Sequence, residues 1–316
     1  MNRFRHQVPP CFFKDFFYLK LFRKTVSIAV FSLFLFFSQS LAQAPAAEED
    51  SLQIVYLANA SGVFENCRCG SNPLGGLDHI AFLLKELRKK NPRLLFIDGG
   101  DFTNTYPYNA LNKLIVDIYK ALRPDYLMLA DQEMQQDNEY TLTLLRQSSF
   151  RFLATNYDIS GFNLNSSVKI SAGKKKIVLL SYLDKSSFWY SKSVKGLSFN
   201  EEKFARVYRQ AVQGSDFRMV LFHGEDAGLA EFIKKFPEID LIFLGHSQSA
   251  KDWLDRKPAI IAPGSDTEFL TLLSLRFQNN GPPLVKSRKI PISLQIPTEP
   301  VVEKLILHFK KTKEQK

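Results

Sequence analysis

Cysteine is scarce: the 316 residues contain three, and Cys11 falls in a basic N-terminal stretch, which leaves Cys67 and Cys69 for the rest. Two cysteines do not make a disulfide framework. A long apolar run is also missing. The run Thr25–Phe37 is too short for a comfortable membrane span, and no cysteine closes it, which argues against a lipid anchor there. Internal repeats, heptads and long low-complexity segments are absent, so the chain is no solenoid or coiled coil. Acid is nearly absent from the first 24 residues, where Asp15 stands alone among six Lys and Arg. Residues 1–42 therefore account for half of the net charge of +10, and the remaining +5 gives no nucleic-acid signature.

The basic stretch, the short apolar run and the small residues Ser40-Leu41-Ala42 predict a signal peptide over residues 1–42, cut after Ala42 because Pro45 disfavours a cut after Ala44. The protein is expected to be exported, periplasmic or secreted, with an uncleaved anchor as the alternative. Residues 43–51 read as a flexible leader, 52–278 as one domain, and 279–316 as a proline-containing, lysine-rich tail. That length suits one α/β domain with a large core.

Within it, short apolar runs alternate with helical periodicity. Strands are expected over 53–58, 94–98, 125–129, 151–155, 168–171, 176–182, 217–222, 240–244, 259–262 and 269–277, the last at a sheet edge. Helices are expected over 77–90, 110–122, 140–146, 201–212 and 227–236. The regular alternation predicts a layered α/β fold. The strand ends carry the chemistry. Asp101, Asp131, Asn156, His223 and His246 each follow an apolar run by a few residues. Polar groups at the carboxyl ends of neighbouring strands share one crevice. Two carboxylates and two imidazoles form a four-ligand set suited to Zn, Mn or Fe; taken singly, each residue also fits an ordinary loop role.

The ordered motifs Gly75-Gly76-Leu77, Asp98-Gly99-Gly100-Asp101, Asp131-Gln132-Glu133, Phe152–Asn156, His223-Gly224, Gly245-His246-Ser247-Gln248 and Ala262-Pro263-Gly264-Ser265 resemble those of the calcineurin-like metallophosphoesterases. The exported 5′-nucleotidase and UDP-sugar hydrolase branch is the most similar. The resemblance implies a four-layer αββα sandwich and metal-dependent hydrolysis of a phosphate monoester or nucleotide. It places Asp101, Asp131, His223 and His246 on one divalent metal, with Asn156 helping to position the phosphate. The second metal site departs from the family pattern: Asn59-Ala60-Ser61 stands in place of Asp-x-His, and Gln248 in place of a histidine. Gln132 stands where the family has its catalytic histidine, and an amide cannot act as a general acid. In the vacated region lies Asn66-Cys67-Arg68-Cys69-Gly70. Its thiols are candidates for a second, softer metal or for redox chemistry. The alternative expectation is a non-hydrolytic descendant that binds metal or anion, cycles thiols or docks a partner.

Overall fold

Apolar runs with a period of two, closed by Gly, Asp and Asn, form strands here because their side chains pack on both faces of a sheet. In chain order the elements begin with β1 (Ser51–Leu57), α1 (Leu77–Lys90), β2 (Leu95–Asp98), α2 (Asn109–Leu122), β3 (Tyr126–Leu127), α3 (Glu139–Arg146) and β4 (Phe152–Leu153). The short β5 (Tyr157–Ile159) and β6 (Leu164–Asn165) precede the hairpin β7 (Val168–Ala172) and β8 (Lys175–Leu183). Then come β9 (Leu197–Phe199), α4 (Glu201–Gly214), β10 (Phe217–His223), α5 (Asp226–Lys235), β11 (Leu241–Gly245) and β12 (Ala259–Ile261). The chain closes with β13 (Phe269–Arg276), β14 (Leu284–Pro291) and α6 (Pro300–Glu314). This computed structural model describes residues 50–68, 73–189 and 192–314. The expected signal segment, most of the leader and Cys69 lie outside the described residues.

Two sheets carry the fold. One runs β14-β13-β1-β2-β3-β4-β6 and the other β12-β11-β10-β8-β7. Strands β1 to β4 are mutually parallel, as are β8, β10, β11 and β12. The alternation within β10 sets the layering. Met219 and Leu221 join the core shared with the first sheet, whereas Val220 and Phe222 join a separate cluster with Phe204 and Tyr208 of α4, Phe232 of α5 and Phe236 just after it. A strand alternating its side chains between two apolar environments lies between two layers. Leu84 of α1 and Ile115 and Ile118 of α2 cover the first sheet from its outer side. The four-layer αββα sandwich that the resemblance implies is the observed architecture.

Tyr56 ties the layers directly: its hydroxyl leaves β1 and donates to the Leu244 carbonyl of β11 at 2.6 Å. The ring passes over Gly99, where a Cβ would run into the hydroxyl.

Two expectations are corrected. Strand β13 lies inside the sheet, paired with β1 and β14, because β14 supplies a further edge strand. The expected tail over 279–316 is structured as far as residue 314: it provides β14 and α6, and Ile292, Val302 and Ile306 are core residues. The alternation in β14 was hidden by its polar face, since an edge strand buries little on either side.

Candidate metal centre

The loop after β2 is built to hold one carboxylate in an uncommon backbone conformation. Asp98 accepts from the Gly100 N–H at 2.9 Å and from the Tyr119 hydroxyl at 2.8 Å, which anchors the strand end. Burial pushes its carboxyl up to about 8. Gly100 sits at φ 96° and Asp101 at φ 57°. Glu133 stabilises this turn. One of its oxygens accepts the Asp101 and Ala130 N–H groups at 3.1 Å each; the other accepts the Thr103 N–H and hydroxyl at 2.9 and 3.0 Å. Burial, and then Asp101, push Glu133 up to about 7 against those hydrogen bonds. The sequence places Glu133 in a motif, but nothing local reveals that it organises the neighbouring loop.

Four strand-end side chains converge. Asp101, Asp131, His223 and His246 each present a ligand atom, and those atoms lie within 4.8 Å of one another. His223, fully buried, places Nε2 at 2.9 Å from Asp131 and 3.3 Å from Asp101. Its Nδ1 is 3.1 Å from the Gly99 carbonyl. A carbonyl oxygen only accepts, so Nδ1 carries the hydrogen and the Nε2 lone pair of a neutral ring would face two carboxylates. That arrangement is repulsive without a cation, either a proton on Nε2 or a metal ion between the groups. An imidazole whose second nitrogen donates to a backbone carbonyl is the usual arrangement of a metal-bound histidine.

His246 reaches the same point from β11. Its Nδ1 is 3.5 Å from both Asp101 and Asp131, and its Nε2 is 3.2 Å from Glu225. The residue has φ 60° and is held there by Asn59, whose Oδ1 accepts the His246 N–H at 2.9 Å. The Asn59 amide also donates to the Ser247 carbonyl at 2.7 Å. Asn59 therefore latches the β1 loop to the His246 loop with its side-chain amide, a role its sequence position does not reveal.

The electrostatics of the metal-free centre follow from these distances. Burial alone would raise Asp101, but His223 and His246 outweigh it and hold the carboxyl well below the usual range. Burial opposes protonation of His223, and Asp101 with Asp131 overcomes it, keeping the imidazole well above its ordinary value. Hydrogen bonds to Asp101 and Asp131 lift His246 to about 9. A histidine raised in the folded state contributes stability that is complete below the unfolded value of about 6.5 and is lost as pH rises through the folded one. The melting temperature of metal-free protein is accordingly expected to fall between pH 6.5 and about 9. A divalent metal, which replaces those protons, should bind more tightly over the same interval. A flat metal-free profile would contradict the protonated centre.

The remaining candidate residues are placed differently. Asn156 is fully buried, and its amide is engaged by Leu183 alone, donating to its carbonyl and accepting its N–H, both at 2.9 Å. It stitches the β4 end to the β8 end. Gln132 donates its backbone N–H to Asp101 at 3.2 Å, while its side-chain Oε1 is buried with no partner among the described residues. Gln248 is exposed. Cys67 is exposed and is not part of the four-residue cluster.

The latch gives a direct test. Asn59→Ala is expected to weaken divalent-metal binding by about 10- to 100-fold, the usual effect of losing a group that orients a ligand. Calorimetric titration measures it, and unchanged affinity would show that His246 is held without Asn59.

No family model matches the chain. Curated relatives include a Lutzomyia longipalpis protein, 24% identical over 255 residues, and the 5′-nucleotidase of Mus musculus, 27% identical over 188 residues. The matches cover 72% and 54% of this chain. The chain spans 44% and 32% of those two relatives, less than half of each. Among solved structures, Thermus thermophilus sulfate thiohydrolase SoxB superposes with a TM-score of 0.70 at 16% identity, covering 84% of this chain and 61% of that one. The Bacillus subtilis calcineurin-like phosphoesterase YfkN gives 0.61 at 16% identity, covering 83% of this chain and 97% of that one. The fold is that of the calcineurin-like phosphoesterases, and the similarity read from the motifs runs to the 5′-nucleotidase branch.

Proposed function

We propose that the chain is an exported, metal-dependent hydrolase of a phosphate monoester or nucleotide, working around one divalent cation held by Asp101, Asp131, His223 and His246. The observation that carries this reading is the His223 ring, hydrogen-bonded at Nδ1 and aimed at two carboxylates through Nε2. When bound, the cation supplies Lewis acidity toward a phosphoryl oxygen. The chain's own residues set up the rest. Asp101 and Asp131 bring negative charge to a nearly buried point, and the imidazoles complete a mixed oxygen and nitrogen set suited to Mn, Zn or Fe. Glu133 and Asn59 hold the two loops in register, so the donors need little reorganisation on binding.

A non-hydrolytic metal-binding role is favoured by two observations. The Gln132 amide is far too weak an acid to protonate a leaving group. The Asn59 amide is already occupied by the His246 and Ser247 backbone, so this side chain is committed to a structural link and not to a second cation.

Phosphate release from p-nitrophenyl phosphate and from nucleoside 5′-monophosphates, measured with Mn, Zn or Fe and again with chelator, separates the readings. Metal-dependent release lost with chelator supports the hydrolase. Stoichiometric metal binding with no release over the chelated background leaves the binding role and discards hydrolysis.

A further inference from the structure

The groups around the metal centre are suited to accept protons and poorly suited to donate one. Gln132 follows Asp131, and its backbone N–H donates to Asp101 at 3.2 Å. Its side-chain Oε1 is buried with no partner among the described residues. Whichever way this amide is turned, it is too weak an acid to protonate a leaving oxygen. The nearby carboxyls are committed elsewhere. Asp98 and Glu133 are fully buried. Asp98 accepts from the Gly100 N–H and the Tyr119 hydroxyl, and Glu133 from three N–H groups and the Thr103 hydroxyl. Glu225 faces Nε2 of His246 at 3.2 Å.

The histidines leave the same gap. The sequence holds five, of which His6 lies outside the described residues. His223 and His246 belong to the cluster, where their lone pairs would serve the cation. Nδ1 of His79 lies 2.6 Å from the Ile296 carbonyl, beside a cavity lined by none of the cluster residues. His308 is exposed on α6.

The need for a proton grows with the basicity of the departing oxygen. An alkoxide is strongly basic and leaves slowly unless it is protonated as its bond breaks. A phenolate or a phosphate leaves as a stable anion. Donation by a positioned acid contributes about 10²–10⁴-fold to rate.

We infer that the centre cleaves aryl phosphates and phosphoanhydrides and spares alkyl phosphate esters, a selectivity that rests on the hydrolase reading above. In the step, a water oxygen bonds to phosphorus and its proton passes to solvent. The bond from phosphorus to the leaving oxygen breaks, and its electron pair stays on that oxygen.

ADP and AMP carry the same nucleoside and test this on one scaffold. Metal-loaded protein is expected to release one phosphate from ADP and to let AMP accumulate, with kcat for AMP at least about 10²-fold lower. Calorimetric titration, which needs no turnover, should give AMP and α,β-methylene-ADP affinities within tenfold, so that the difference lies in kcat and not in binding. Gln132→His should raise kcat for AMP selectively, by up to about 10²-fold. Gln132→Ala should keep the ratio of ADP to AMP rates, because the amide donates no proton to either; circular dichroism confirms that both variants fold. AMP cleaved as fast as ADP, or a ratio widened by Gln132→Ala, would overturn the selectivity while leaving the hydrolase reading intact. No phosphate from ADP, AMP or p-nitrophenyl phosphate would overturn the hydrolase reading and the selectivity with it.

Discussion

Replacing His223 by alanine is expected to abolish metal binding and to destabilise the metal-free protein by about 3–5 kcal/mol, the usual cost of removing one partner from a buried charge pair. The size follows from position. His223 is fully buried, and it is the group nearest to both Asp101 and Asp131 in the cluster. Without it two carboxylates share a nearly dry site with only His246 to balance them. His246→Ala is expected to abolish metal binding equally but to cost the fold far less, because its side chain is 17% exposed and water can reach the space it leaves. Metal content and denaturant melts of the two variants, compared with the parent, measure both effects. Metal retained in either variant would remove that histidine from the centre. Equal loss of stability in both would mean that burial does not set the difference.

The four converging residues were legible in the sequence because the strands announce themselves. An apolar run that stops at Asp or His fixes where the strand ends, and parallel neighbours place such ends together. Hence Asp101, Asp131, His223 and His246 could be read as one group, and α1 as Leu77–Lys90, without any coordinates. What could not be read depends on contacts across the sandwich. Asn59 looks like a lost ligand in the sequence and is a latch in the structure, because its partners lie at positions 246 and 247. Asn156 fits a phosphate-binding position by motif and spends its amide on Leu183. The Gly99 carbonyl that orients His223 has no side chain to betray it. Helix α6 was hidden for a different reason: Pro291, Pro297 and Pro300 punctuate its approach, and its apolar stripe of Val302, Ile306 and Phe309 is diluted by lysines.

That dependence on backbone yields the second large effect, at a residue with no chemistry of its own. Gly245→Ala is expected to cost about 1–3 kcal/mol of stability by overpacking and to weaken metal binding at least 10- to 100-fold. A Cβ at this position would run into Nδ1 of His223 and would stand 2.7 Å from the Gly99 carbonyl, the two atoms of the hydrogen bond that orients the ring. Backbone conformation is not the obstacle, because Gly245 has none of the positive φ values found at Gly100 or Gly264. The conflict lies only in the space. Gly245 pairs directly with His223 between parallel β11 and β10, so the strand cannot slide away without breaking a central ladder. The ring must therefore turn, and turning it withdraws Nε2 from Asp101 and Asp131. Gly214→Ala is the control, since nothing lies within 4 Å of a Cβ there. Calorimetric metal titration and thermal melts of the two variants decide the matter. If Gly245→Ala binds metal as tightly as Gly214→Ala, the Gly99–His223 hydrogen bond is not what aims the imidazole.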